Sequence, residues 1–193
     1  MPSKFEVLSS ETVFAGRIIR VRVDRVREPG GVEADREIVS HPGSVVVLPV
    51  LPSGRVLLVR QFRYAAQQSL WELVAGGIDP GETPRASAAR ELAEETGYTA
   101  RIFRPAFKFY PSPGILDEVM HLIEARDLTR GDARPEADER IQVKAFSVPE
   151  LRKMTYSSRI KDGKTLAGIL WLVDGRRRKL KLRSAKPAQF RRL

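Results

Sequence analysis

The chain has 193 residues, is 42% hydrophobic, contains no cysteine and carries a net charge of +10. That length suits one domain with an accessory element, and the lack of cysteine excludes disulfides and thiolate chemistry. No stretch approaches the roughly 20 apolar residues of a membrane helix, and the opening MPSKFEVLSSE has no basic-then-apolar leader, so a cytoplasmic protein without membrane partners is expected. The charge is local. From Gly175 onward there are nine Lys or Arg and no acid, so the preceding residues are nearly neutral. Residues 175–193 are therefore expected to form a solvated basic tail. Binding of nucleic acid, membrane or an acidic partner by this tail is the sharper and less favoured reading.

In chain order, residues 5–41 read as strands. RIIRVRVDRVRE alternates Ile19, Val21, Val23 and Val26 with charged residues, with a slip of phase near Asp24. Gly30–Gly31 marks a turn, and VEADREIVSH runs back as an antiparallel partner. SVVVLPVL, from Ser44, is a continuous apolar run, as in a strand buried on both faces. Pro52-Ser53-Gly54 makes a turn into a second strand, RVLLVRQFR. Gly76, Gly77, Asp79, Pro80 and Gly81 form a loop that lets backbone approach a ligand closely. A helix follows, with Thr83 as N-cap, Pro84 at its first position and Gly97 as its left-handed stop. ARIFRPAFKFYPSPG mixes strand and turn signals. DEVMHLIEARDL is a strand, with Val119, His121 and Ile123 on one face, and TRGDARPEADER is a polar loop. IQVKAFS is another strand, Ser147 to Glu150 fits a capping box for a helix through Met154, and Lys164 to Val173 is helical, stopping at Gly175.

The helix after Thr83 carries Glu91, Glu94 and Glu95. Residues three and four apart on a helix are neighbours, so three carboxylates crowd one face and repel. A bound hard cation removes the conflict, because Mg²⁺ prefers carboxylate oxygens and water; Mn²⁺ is the alternative. The competing reading is an exposed, salt-bridged helix in which Arg90 pairs with Glu94 at i, i+4.

At Gly76, Glu82, Arg90, Glu91, Leu92, Glu94, Glu95, Gly97 and Tyr98 the chain resembles the Nudix hydrolase family, every position of whose box is matched. The resemblance implies an α/β/α sandwich around a mixed sheet over residues 42–174. Residues 1–41 would be the small antiparallel N-terminal sheet and 175–193 the basic tail. It also implies cleavage of a nucleoside diphosphate linked to another group. RQFRYAAQQSLWELVAGGID, YPSPGILDE with Pro113, and REIVSHPGSVVVLP resemble the ADP-ribose pyrophosphatase branch. Other nucleotide substrates (GDP-mannose, flavin dinucleotide, diadenosine polyphosphate) and a non-catalytic sensing module are the alternatives.

That branch implies roles. Glu91 and Glu95 would coordinate the metal with help from Glu94, and the carbonyl of Ala75 would complete the set. Arg63 would grip the diphosphate, and Arg36 would add charge from the N-terminal sheet, since a planar guanidinium suits bidentate phosphate contacts. Glu118 would orient substrate or water. A homodimer would form through the N-terminal sheet, which then lines the partner's site. The general base would come from the acidic run of the polar loop. There the usual position falls on Ala137, so Glu139 is favoured and Glu136 is the alternative. The branch often places an aromatic residue near Ile18 to stack adenine, and this chain does not. His121 is expected to be a half-buried strand residue and Trp71 a packing residue.

Overall fold

The structure, a computed structural model, describes residues 4–131 and 141–184, with side chains to Gly175. It begins with an antiparallel meander of β1 (Glu6–Ala15), β2 (Arg20–Arg27) and β3 (Glu33–Ser40), in the order β1-β2-β3. The glycine pair expected to turn the chain does so, since Gly30 and Gly31 both have positive φ. The slip of phase in β2 has a cause. Asp24 takes a buried position, where Ser10 Oγ (2.6 Å) and Arg22 Nε (3.0 Å) donate to its carboxylate.

β4 (Ser44–Pro49) is buried along its whole length. It lies inside a four-stranded sheet ordered β7-β4-β9-β8, parallel to β9 (Met120–Arg130) and antiparallel to β7 (Val74–Gly77). Successive β4 side chains alternate between two cores. Val45 and Val47 join Ala88 and Leu92 of α1 (Pro84–Thr96) on one side. Val46 and Leu48 join α2 (Val148–Tyr156) and α3 (Gly163–Ser184) on the other, through Leu151, Met154, Ile169 and Leu172. Helices thus cover both faces, as expected. A second, three-stranded antiparallel sheet, β10-β5-β6, adds β5 (Val56–Arg63), β6 (Gln68–Glu72) and β10 (Gln142–Phe146). Trp71, half-buried, packs edge-on to Phe146 against the core, with ring centroids 5.0 Å apart.

Several elements differ from the sequence expectation. β6 was not anticipated, and β7 runs through Gly76 and Gly77, where the loop was expected to begin. β8 (Tyr98–Phe109) is one 12-residue strand despite Pro105. It lies at the sheet edge and its register shifts between Pro105 and Phe107, the two settings in which a strand tolerates proline. α3 does not stop at Gly175 but runs to Ser184. One glycine costs a helix only about 1 kcal/mol, and the Arg, Lys and Leu that follow are good helix formers. The boundary at 174/175 therefore falls inside a helix. Among the described side chains of α3 the last buried one is Leu172. Truncation after Gly175 is accordingly expected to leave turnover unchanged and to lower Tm by no more than about 2 °C, measured by calorimetry alongside the assay. Among the described residues no helix is long and apolar enough to cross a membrane.

Candidate active site

α1 forms as its sequence dictates. The Thr83 hydroxyl accepts from Ala86 N, Pro84 sits at N1, and Gly97 closes the helix in the left-handed conformation. Ala88 and Leu92 are buried with Val45 and Val47 of β4, and Glu91 lies against the strand that carries Gly76. A Cβ built on Gly76 would overlap the Glu91 carboxylate. Only glycine lets backbone and carboxylate come this close. Gly76 and Ala75 pair in register with Val45 and Val46, so their positions are set by the central strand.

Arg90 holds this face together. Its Nη1 donates to Glu91 Oε1 (2.6 Å) and Glu94 Oε2 (3.2 Å), its Nη2 to Glu82 Oε2 (3.0 Å) and the Gly77 carbonyl (3.0 Å), and its Nε to Glu82 Oε1 (3.2 Å). The Arg90 fork and the Ser87 hydroxyl lower the Glu82 carboxyl to about 2, and the bonds to Glu82 and Glu91 raise Arg90. The i, i+4 pair of the salt-bridged reading is thus present, as part of a wider network. Glu95 is only 4% exposed. Among the described residues no three His, Asp or Glu side chains converge as a cage for a metal. The donor set nevertheless fits a hard divalent cation. It offers carboxylate oxygens from Glu91, Glu94 and Glu95 and backbone oxygen from the Ala75–Gly77 strand, without soft ligands.

Arg63 is not placed as an open phosphate grip. Its Nε and Nη2 both donate to Glu72, at 2.8 Å each, in a bidentate pair. The hydrogen bond to Glu72 raises Arg63, and the charge of Glu95 adds a little to this. Glu72 is 1% exposed. Burial pushes its carboxyl up, but the bonds from Arg63 and Lys164 outweigh this and hold it below the ordinary range. A lowered carboxyl stabilises the fold above the unfolded value of about 4.3 and loses that effect as pH falls through the folded value. Glu72→Gln is therefore expected to cost about 3 kcal/mol at neutral pH and to flatten the acid limb of the stability curve, read by urea titrations between pH 3 and 7.

Glu118 is buried, accepts from Ser44 Oγ at 2.6 Å and lies 3.4 Å from His41 Nδ1. Ser44 pairs with Gly77, so Glu118 sits at the end of β4 beside the box loop. Its neighbour Asp117 accepts from His41 N and Ser40 Oγ (2.9 Å each) and pairs with Arg22, which fastens the N-terminal sheet to the main domain. Arg36 is not brought to this site within the chain. It is exposed and bonded to Glu28 and the Asp35 carbonyl on the N-terminal sheet. Ile18 is also exposed. Glu136 and Glu139 lie outside the described residues. His121 is half-buried and held low by burial and by Lys108.

Sequence reasoning missed Glu72, Asp162 and Lys164. Glu72 stands within the apolar run LWELV, and a charge inside such a run signals a buried, paired group. Asp162 precedes a helix and caps it, its Oδ2 accepting from Thr165 N at 3.0 Å.

Residues 40–166 match the NUDIX domain family, and residues 5–39 match the nucleoside diphosphate sugar hydrolase N-terminal domain. The chain belongs to the Nudix family. Among relatives of this Nudix hydrolase, an ADP-ribose pyrophosphatase of Bacillus subtilis is 37% identical over 86% of the chain and 91% of its own length. A methanol dehydrogenase activator of Bacillus methanolicus is 34% identical over the same shares. A solved structure described as an ADP compounds hydrolase superposes with a TM-score of 0.80, covering 94% of this chain and 97% of that one at 20% identity, which supports the fold. Nudix hydrolases generally need divalent metal cations, which agrees with the oxygen-only donor set on α1.

Proposed function

We propose that this Nudix hydrolase cleaves the diphosphate of ADP-ribose or a related ADP-sugar, giving AMP and a sugar phosphate, with Mg²⁺ as its metal. The reading is carried by the complete box on a capped helix, with Glu91 against Gly76. The choice of substrate is supported by the Bacillus subtilis relative, which spans nearly the whole chain. In the reaction water oxygen forms a new bond to one phosphorus, the bridging P–O bond breaks, and the other phosphate leaves with the bridging oxygen. Glu91, Glu94, Glu95 and the Ala75 carbonyl would hold the cation. When bound, a divalent metal polarises phosphoryl oxygens and lowers the pKa of water. Arg63 would bind phosphate through the edge that Glu72 does not use, and Glu118 would orient substrate. Glu139, or in its place Glu136, would take the proton from the attacking water. The cytoplasm, expected from the sequence, supplies both nucleotide sugars and Mg²⁺.

The homodimer belongs to the same reading. All ten residues of β1 are exposed. Val7, Val13 and Phe14 are each more than half accessible on what is an edge strand, and such an edge invites pairing. In a dimer Arg36 would serve the partner's site. Light scattering is expected to give a dimer at micromolar concentration, and Phe14→Asp to give a monomer with at least about a tenfold higher KM.

The substrate test is a panel of ADP-ribose, GDP-mannose, flavin dinucleotide and diadenosine polyphosphates with Mg²⁺ and phosphate detection after phosphatase treatment. ADP-ribose should give the highest kcat/KM. No turnover of it would sink the assignment in favour of whichever compound is cleaved, and no turnover of any would favour a sensing module.

A further inference from the structure

We propose that Lys164 is a positioning residue for substrate binding, acting through Glu72 to hold Arg63 in one orientation. The inference rests on the reading of the site as that of a nucleoside diphosphate sugar hydrolase. A buried carboxylate is tolerated only when its charge and lone pairs are matched. Glu72 is matched twice, by the two nitrogens of Arg63 and by Lys164 Nζ. Lys164 is itself largely buried, and Nζ also donates to Asp162 Oδ1 at 2.9 Å. Asp162 Oδ2 accepts from the Thr165 hydroxyl at 2.5 Å, and Thr165 Oγ1 accepts from Leu73 N at 2.8 Å. Glu72, Lys164, Asp162, Thr165 and Leu73 therefore close a ring of hydrogen bonds that joins β6 to the start of α3. Gly168 tightens the joint one turn later, where any Cβ would run into Leu73.

The two cations on Glu72 differ in what remains of them. Lys164 is spent inside the ring. Arg63 has its inner edge fixed by Glu72, while its side chain keeps 39% exposure and feels the charge of Glu95. A long side chain on the surface loses rotamer freedom when it binds a phosphate, and that loss weakens binding. Here the ring has ordered the guanidinium beforehand. Lys164 need never touch substrate to lower its KM.

The test is steady-state kinetics of the full chain with ADP-ribose and Mg²⁺, comparing wild type with Lys164→Met and Lys164→Arg, each below its own Tm. Lys164→Met is expected to raise KM at least about tenfold while kcat falls less than about threefold, the pattern of lost binding rather than lost chemistry. Lys164→Arg, which keeps the charge on Glu72, is expected to return KM to within about threefold of wild type. An unchanged KM in folded Lys164→Met overturns the proposal. So does a loss of kcat alone that tracks the folded fraction, as a merely structural role would give. Should the Met variant not fold, Lys164→Gln takes its place under the same criterion. If the wild type cleaves a different nucleoside diphosphate sugar, the comparison is made with that compound, so the substrate assignment and the role of Lys164 fail separately.

Discussion

Glu95→Gln is expected to lower kcat by about 10³-fold, close to 4 kcal/mol of barrier, while the protein stays folded. Glu95 is 4% exposed on the helix face that also carries Glu91 and Glu94. Gln has the same shape but no charge, and a neutral amide is a poor ligand for a hard cation. The Thr83 and Gly97 caps and the Arg90 bonds to Glu91 and Glu94 do not involve Glu95, so the helix keeps its own supports when that charge is removed. Stability and activity should therefore part company, with Tm held or raised and turnover lost. Calorimetric titration with Mg²⁺ should show the binding heat reduced or abolished. An active Glu95→Gln enzyme would remove Glu95 from the ligand set and leave the role to Glu91 and Glu94.

Gly76→Ala is expected to be the second most damaging change. One methyl group placed there would overlap the Glu91 carboxylate. Either the side chain swings away or the strand shifts, and both displace an acid from the backbone oxygens beside it. Because the clash is with the far end of a flexible side chain, the cost in stability should stay below the roughly 1–3 kcal/mol of core overpacking, and the loss of activity should exceed what that cost alone predicts. Gly77→Ala is the control, since a Cβ at that position meets nothing. Measuring kcat, Mg²⁺ activation and Tm for the pair separates the two. If both variants behaved alike, the close approach of Gly76 to Glu91 would have no bearing on catalysis.

The helix and the Nudix box it carries were legible in the sequence because they are written locally. Thr83, Pro84 and Gly97 mark the ends of α1, and the box residues fall within one segment. The two-faced burial of β4 was legible too, because a central strand has no reason to alternate. Less could be read where tertiary context decides. β7 was hidden by Gly76 and Gly77, and β8 by Pro105, which is tolerated because the strand proves to be an edge with a shift of register there. α3 outran Gly175 because the residues after it favour helix more than one glycine opposes it. The surroundings of Arg63 were only half legible. Its charge and place were clear, but its commitment to Glu72 depends on a strand pair, Val59 with Glu72 through Arg63 with Gln68, that no local pattern reveals. Lys164 was out of reach for the same reason, since its partner is 92 residues away.

β4 has one further consequence. In most strands the alternation of apolar and polar side chains fixes the alignment with neighbours, because a slip by one residue would turn the greasy side outward. β4 lacks that safeguard: Val45, Val46, Val47 and Leu48 are interchangeable in kind, and a slipped strand would still be fully dry. What tells the correct alignment from its neighbours is the end of the strand, where Ser44 meets Glu118 and the chain opposite offers Gly77 and Gly76. These polar and glycine positions act as alignment marks for folding before they serve any substrate. Ser44→Val should then yield a protein that is as compact as the wild type but partly misregistered, its fault visible as doubled amide resonances along β4, β7 and β9.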